Sequence, residues 1–165
     1  MAPARVLAIT AVFAVLAASE AFALRIVNYN ILNYPGTSAA TRNPHFRTIF
    51  APLGAEVVVV QEMQSQVGVD GFVANVLNAL EPGQWVAAPF TDGNDTNNAL
   101  FYKPNRVQLL GHWSWYPNPA TNLRLVDCYR LKPVGYSSGA AEFRVYSVHL
   151  KSSQGFETDR FNEAI

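Results

Sequence analysis

The run Glu56-Val57-Val58-Val59-Val60-Gln61-Glu62 is apolar after its first residue and ends on an amide and a carboxylate. A carboxylate at the end of a buried element is seldom left without a metal, a cation or hydrogen-bond donors, because burying it unpaired is very costly. Glu62 is therefore either a group that holds something or one that has already reached solvent in the following loop. Upstream, Leu24-Arg25-Ile26-Val27-Asn28-Tyr29-Asn30-Ile31-Leu32 puts Asn28 and Asn30 in one row with Leu24 and Ile26. Such asparagines either bond to a neighbouring loop or, at Asn30, present an amide oxygen to a ligand or metal. Downstream, His149 shares a parity with Phe143, Val145 and Ser147, Lys151 and Ser152 follow it, and Arg130 ends the preceding strand-like run. A lone histidine on a buried face is commonly a core residue, but phosphate or another anion would suit that basic company.

The elements that must position these groups follow from pattern. Four consecutive β-branched valines fit a strand covered on both faces better than a helix. Before it, Asn43-Pro44 reads as a cap followed by Pro at the first helical position, with Phe46, Ile49, Phe50 and Leu53 on one face and Gly54 as the stop. The resulting strand, helix, strand order can bring the ends that carry Asn30 and Glu62 to one edge of one sheet. A second helix is expected over residues 70–80, capped by Asp70, with Val73, Val76, Leu77 and Leu80 buried. Strands are then expected over residues 85–89, 99–102, 107–113, 123–132 and 143–151, and a last helix begins near Phe156. Strands in series point to antiparallel layers rather than a doubly wound sheet.

Two further motifs are weak. Residues 91–98, Thr91-Asp92-Gly93-Asn94-Asp95-Thr96-Asn97-Asn98, suggest a calcium loop but lack its glycine position and terminal Glu, so they read as a surface loop. Gly135-Tyr136-Ser137-Ser138-Gly139 matches a nucleophile-elbow pattern, yet strand rather than helix follows, which leaves it a hairpin loop. Cys128, the single cysteine, has no partner for an internal disulfide and reads as a small buried side chain.

Half of the 165 residues are hydrophobic, and 12 basic side chains balance 12 acidic ones. This composition supports one globular core and argues against disorder. Any phosphate or nucleic-acid binding must come from a local patch or a metal rather than from net charge. Arg5, the apolar run of residues 6–18 and Ala21-Phe22-Ala23 together read as a secretory signal peptide over residues 1–23. The mature chain, residues 24–165, would be exported to the periplasm or beyond, with no transmembrane span after cleavage.

Taken together, Asn28-Tyr29-Asn30-Ile31-Leu32, Val57-Val58-Val59-Val60-Gln61-Glu62, Asn98-Ala99-Leu100-Phe101-Tyr102-Lys103-Pro104 and Val145-Tyr146-Ser147-Val148-His149-Leu150-Lys151 resemble the endonuclease/exonuclease/phosphatase superfamily. The resemblance implies an α+β fold, a four-layer α/β/β/α sandwich of the deoxyribonuclease I-like type, with its C-terminal part missing from this chain. It implies a hydrolase using Mg²⁺ or Mn²⁺, with Glu62 and Asn30 at the metal, His149 on the scissile phosphate and Arg130 neutralising phosphate charge. Arg160 matches a basic position of structural use. The substrate implied is a phosphodiester, in nucleic acid or a phospholipid head group, with no stable protein partner. Phospholipid phosphodiesterase or phosphatase activity is the alternative within the superfamily, and a non-catalytic exported binding protein the alternative outside enzymes. The family's later aspartates, asparagine and final histidine have no counterpart here, so this portion alone is expected to be inactive.

Overall fold

The computed structural model describes residues 23–117, 124–151 and 153–164. The expected signal segment lies outside the described residues up to residue 22. Two sheets are present. One has the order β1-β2-β4-β3, from β1 (Ile26–Tyr34), β2 (Val57–Met63), β3 (Val86–Ala87) and β4 (Asn97–Tyr102). The other has the order β5-β6-β7, from β5 (Val107–Trp115), β6 (Val126–Pro133) and β7 (Phe143–Ser147).

The valine strand is central, as its composition demands. Val58 and Val60 enter a core with Phe46, Phe50, Phe72, Val76 and Phe101 on the helical side, while Val57 and Val59 meet Leu100, Val107, Tyr129 and Leu131 between the sheets. Alternation thus divides one strand between two cores. Helix α1 (Ala39–Phe50) and the helical stretch after β2 supply the first core, whose rings meet edge to face around Phe72: Tyr34 at 5.1 Å, Phe46 at 5.5 Å and Phe50 at 5.8 Å. The described residues therefore stack as helices, sheet and sheet, in the expected α+β arrangement. The far face of the second sheet carries exposed Trp113, Trp115 and Tyr146.

Several boundaries differ from the pattern reading. Helix α1 starts at Ala39, so Pro44 lies inside it, and Asn43 is buried and accepts from the Tyr34 hydroxyl at 2.9 Å instead of capping. The second helix, α2 (Gln66–Phe72), starts four residues early because Ser65 caps it through Gly68 N–H, while Asp70 accepts from Gln66 within the helix. It passes into a π-helical turn, Val73–Leu77, and ends in α3 (Asn78–Leu80). The wider turn brings Phe72, Val76 and Leu77 onto the buried side together. Asn97 and Asn98 belong to β4 and are 2 % and 3 % exposed, so of residues 91–98 only 91–96 lie in the segment that connects β3 to β4. Strand β7 stops at Ser147, and the stretch to Leu150 is irregular. The last helix, α4 (Glu157–Ala164), follows.

Candidate active site

Strands β1 and β2 run parallel with Asn30 opposite Gln61, so their C-terminal ends finish side by side. On β2, alternation would send Glu62 into the helical core after Val58 and Val60. It does not go there. Gln61 and Met63 pair with the adjacent residues Asn98 and Asn97 of β4, so Glu62 is the extra residue of a bulge. Met63, fully buried, takes the core position, and Glu62 at φ +67° is turned out of the sheet. On β1, Leu32 and Asn33 also have positive φ, +47° and +51°. Among the described residues these three are the non-glycine residues with positive φ, and all of them lie here. Left-handed backbone costs roughly 1–2 kcal/mol at an L-residue, and such strain tends to collect at functional sites.

The strained turn on β1 serves Glu62. Asn33 N–H donates to Glu62 Oε2 at 3.1 Å, and Asn30 Nδ2 donates to Oε1 at 2.9 Å. The Asn30 oxygen accepts from Leu32 N–H at 2.8 Å. Asn30 therefore offers its nitrogen to the carboxylate and one lone pair of its oxygen to backbone. It is a residue that positions Glu62.

Across the inter-sheet gap, His149 Nε2 lies 3.7 Å from Glu62 Oε1, while its buried Nδ1 has no hydrogen-bond partner. Burial, followed by the nearby Arg124, pushes the imidazole below its usual pKa, against the opposing pull of Glu62, Asp95 and Glu163. The ring is thereby biased toward its neutral form. Arg124 Nη1 donates to Leu150 O at 3.0 Å, and its Nε is 3.1 Å from Asp95 Oδ2. The stretch after His149 is tied to α4: Lys151 N–H donates to Glu163 at 3.0 Å, and Arg160 donates to the Lys151 and Ser153 carbonyls. Arg160 thus has the structural use expected of it. The Lys151 ammonium lies over the Phe156 ring at 4.9 Å, so its charge is engaged there. Ser152 lies outside the described residues.

A polar chain, buried at Gln61, Ser147, Asn98 and Asp127, sets the two sides of the site relative to each other. Gln61 Nε2 donates to Asn28 Oδ1 at 2.7 Å and to Ser147 Oγ at 3.1 Å, and Ser147 Oγ donates to Asn98 Oδ1 at 2.9 Å. Asn98 Nδ2 in turn meets Asp127 Oδ2 at 2.9 Å, and Asp127 Oδ1 meets His112 Nε2 at 2.8 Å and the Ser114 hydroxyl. Gln61 precedes Glu62 by one residue and Ser147 precedes His149 by two, so this link fixes the spacing across the gap.

The structure thus brings Asn30, Glu62 and His149 together, and leaves Arg130 out. Asp127 is in register with Ser147, whereas Arg130 is in register with Arg144, about 10 Å further along β6. By alternation it shares the outward face of the second sheet with Cys128, since Tyr129 and Leu131 face the inter-sheet core. Its nearest acidic neighbour is Glu142, at 3.7 Å. The arginine at the cluster is Arg124, which no motif in the sequence marks. The available signals were local: Asp127 interrupts the apolar run Leu125-Val126, and Asn97-Asn98 directly precede Ala99-Leu100-Phe101.

Among the described residues no group of three His, Cys, Asp or Glu is placed to hold a metal. A divalent ion here would have Glu62 as its protein carboxylate and water or substrate oxygens for the rest, a donor set that Mg²⁺ tolerates.

No family model matches the sequence, and no curated protein does. Solved structures do match. D. rerio TDP2 complexed with a single-strand DNA product is 15% identical, with a TM-score of 0.66, over 86% of this chain and 51% of that one. An endonuclease/exonuclease/phosphatase family protein from Bacteroides thetaiotaomicron is 14% identical, with a TM-score of 0.62, over 86% and 55%. The human Nocturnin catalytic domain with a bound sulfate anion is 16% identical, with a TM-score of 0.61, over 84% and 53%. The chain has the fold of the endonuclease/exonuclease/phosphatase superfamily, and it spans about half the length of the solved structures it matches.

Proposed function

We propose that the protein is an exported, metal-dependent phosphoesterase, acting as an endonuclease or other phosphodiesterase. The observation that carries this reading is Glu62, lifted out of the sheet by a bulge and held by Asn30 and Asn33 opposite His149 at 3.7 Å. A carboxylate able to hold a divalent ion, an imidazole and an arginine at one sheet edge suit the charge that develops on a phosphoryl group under attack.

Each residue has a distinct task in this reading. Glu62 would hold the divalent ion, whose chemistry when bound is to neutralise phosphate charge and lower the pKa of a bound water. His149, with its pKa pushed down, supplies a hydrogen bond or proton to a phosphoryl oxygen. Arg124 takes the phosphate-facing role that the sequence suggested for Arg130. Asn30 keeps Glu62 in place. The chain spans about half the length of the solved structures it matches, and this portion alone is expected to be nearly inactive. Export rests on the leading segment of residues 1–23.

The test is a divalent-cation-dependent assay of the full-length protein on plasmid DNA, sphingomyelin and a chromogenic phosphodiester in parallel. Turnover is expected on at least one substrate, with loss in Glu62→Gln and in His149→Ala. Cleavage of sphingomyelin alone would select the phospholipid branch. Turnover unchanged in both variants overturns the site, and no turnover on any substrate favours a binding protein with this fold.

A further inference from the structure

Arg124 already carries an anion. Its Nη1 is engaged by the Leu150 carbonyl at 3.0 Å, so the edge left for bidentate pairing is the one formed by Nε and Nη2. Asp95 Oδ2 lies beside that edge, 3.1 Å from Nε but off the N–H direction. Yet Nε, shielded from solvent, has no properly aligned hydrogen bond. The contact is therefore an ion pair without directed bonding, weaker than a fork-to-fork carboxylate pair.

The Asp95 side chain is 37% exposed against 14% for Arg124, so the carboxylate keeps a solvated side. The segment that carries Asp95 is held by other means. Gly93 N–H donates to Asn97 Oδ1 at 2.8 Å, Asn97 Nδ2 donates to Asp92 Oδ1 at 2.9 Å, and Asn94 N–H donates to the Tyr116 hydroxyl at 3.1 Å. The backbone at residues 92–97 is thus fixed without the Asp95 carboxylate. What the carboxylate does is occupy the arginine.

We propose that Asp95 is an internal stand-in for the substrate phosphate on Arg124, displaced when a phosphoryl group enters between Arg124 and His149. This rests on the phosphoesterase reading and adds a regulating contact to it. A phosphate brings more charge and more acceptor oxygens than a carboxylate, so it competes for the same guanidinium edge. In its absence, Asp95 screens Arg124 and discourages weaker, singly charged anions.

The test is a titration of inorganic phosphate into the protein, followed by the NMR signals of the Arg124 Nε–H and the His149 ring. Asp95→Asn keeps the side-chain shape and removes the charge, and it is expected to tighten phosphate roughly three- to fivefold, the worth of one part-exposed charge pair. Asp95→Ala should act in the same direction, and Arg124→Gln should abolish saturable binding in either background. Unchanged or weaker phosphate binding in Asp95→Asn overturns the proposal. So does binding that survives Arg124→Gln, or no saturable binding in any variant. Turnover that still depends on Glu62 alongside such a result leaves the phosphoesterase reading standing, and tightened phosphate without Glu62-dependent turnover does the reverse.

Discussion

The side-chain amide of Asn30 donates from its nitrogen to Glu62 Oε1 at 2.9 Å and accepts at its oxygen from the Leu32 N–H at 2.8 Å. A backbone N–H can only donate, so this second bond fixes which way the amide points. Asn30 is the one side-chain amide among the described residues that braces the carboxylate, and Asn30→Ala removes it. Manganese affinity, measured by calorimetry on the full-length protein, should fall roughly 10- to 100-fold, as for other partners that orient a ligand. An unchanged affinity would mean that Asn33 N–H alone suffices to hold Glu62.

Asn98 is the hub of the polar chain between the sheets, meeting Asp127, Ser147 and the Leu125 carbonyl. Asn98→Leu leaves the carboxylate of Asp127, which is 1% exposed, short of a donor. A loss of about 1–3 kcal/mol, the usual cost of stranding a buried polar group, is expected in urea unfolding. A shift below 0.5 kcal/mol would show that the link is dispensable to the fold.

Phe72 touches Tyr34, Phe46, Phe50 and Phe101 with ring centroids between 5.1 and 5.8 Å. Phe72→Ala opens a cavity at the centre of the helical core, and about 3–5 kcal/mol of stability should disappear. Soluble, cooperatively unfolding protein of unchanged midpoint would contradict this placement.

The Tyr129 hydroxyl has its pKa pushed well up by burial and then by the Asp127 carboxylate. The folded protein therefore keeps a proton that the unfolded chain releases near pH 10. The associated stability is fully present below about pH 10 and is lost as pH rises from there toward the folded pKa. Stability from urea melts should fall above pH 10, and Tyr129→Phe should reduce the slope. Tyr34 and Tyr102, also raised by burial, keep some of it in the variant. An identical slope in Tyr129→Phe would assign the effect to those two alone.

Much of the architecture was legible in the residues because burial imposes period and composition. Val57-Val58-Val59-Val60 could only be a strand with two apolar faces, and the helix between it and β1 forced a parallel pair whose ends meet. That was enough to place Asn30 beside Glu62. Helix starts were less legible. Ser65 and Asp70 are both good caps, and the choice between them was made by the packing of Val69 against the core.

What the sequence by itself determined was the buried valine strand, the strand, helix, strand unit that contains it and the residue types at the site, since hydrophobic alternation and local turn chemistry act between near neighbours in the chain. Tertiary structure alone decided the direction of each functional group. The bulge that turns Glu62 outward exists only because β4 pairs with β2, and Asn30 braces the carboxylate only because Leu32 N–H fixes the direction of its amide. Arg124 and Arg130 lie six residues apart at either end of one apolar run, and local pattern does not choose between them. The register of β6 on β7 does, because pairing Asp127 with Ser147 sets Arg124 beside His149 and carries Arg130 away.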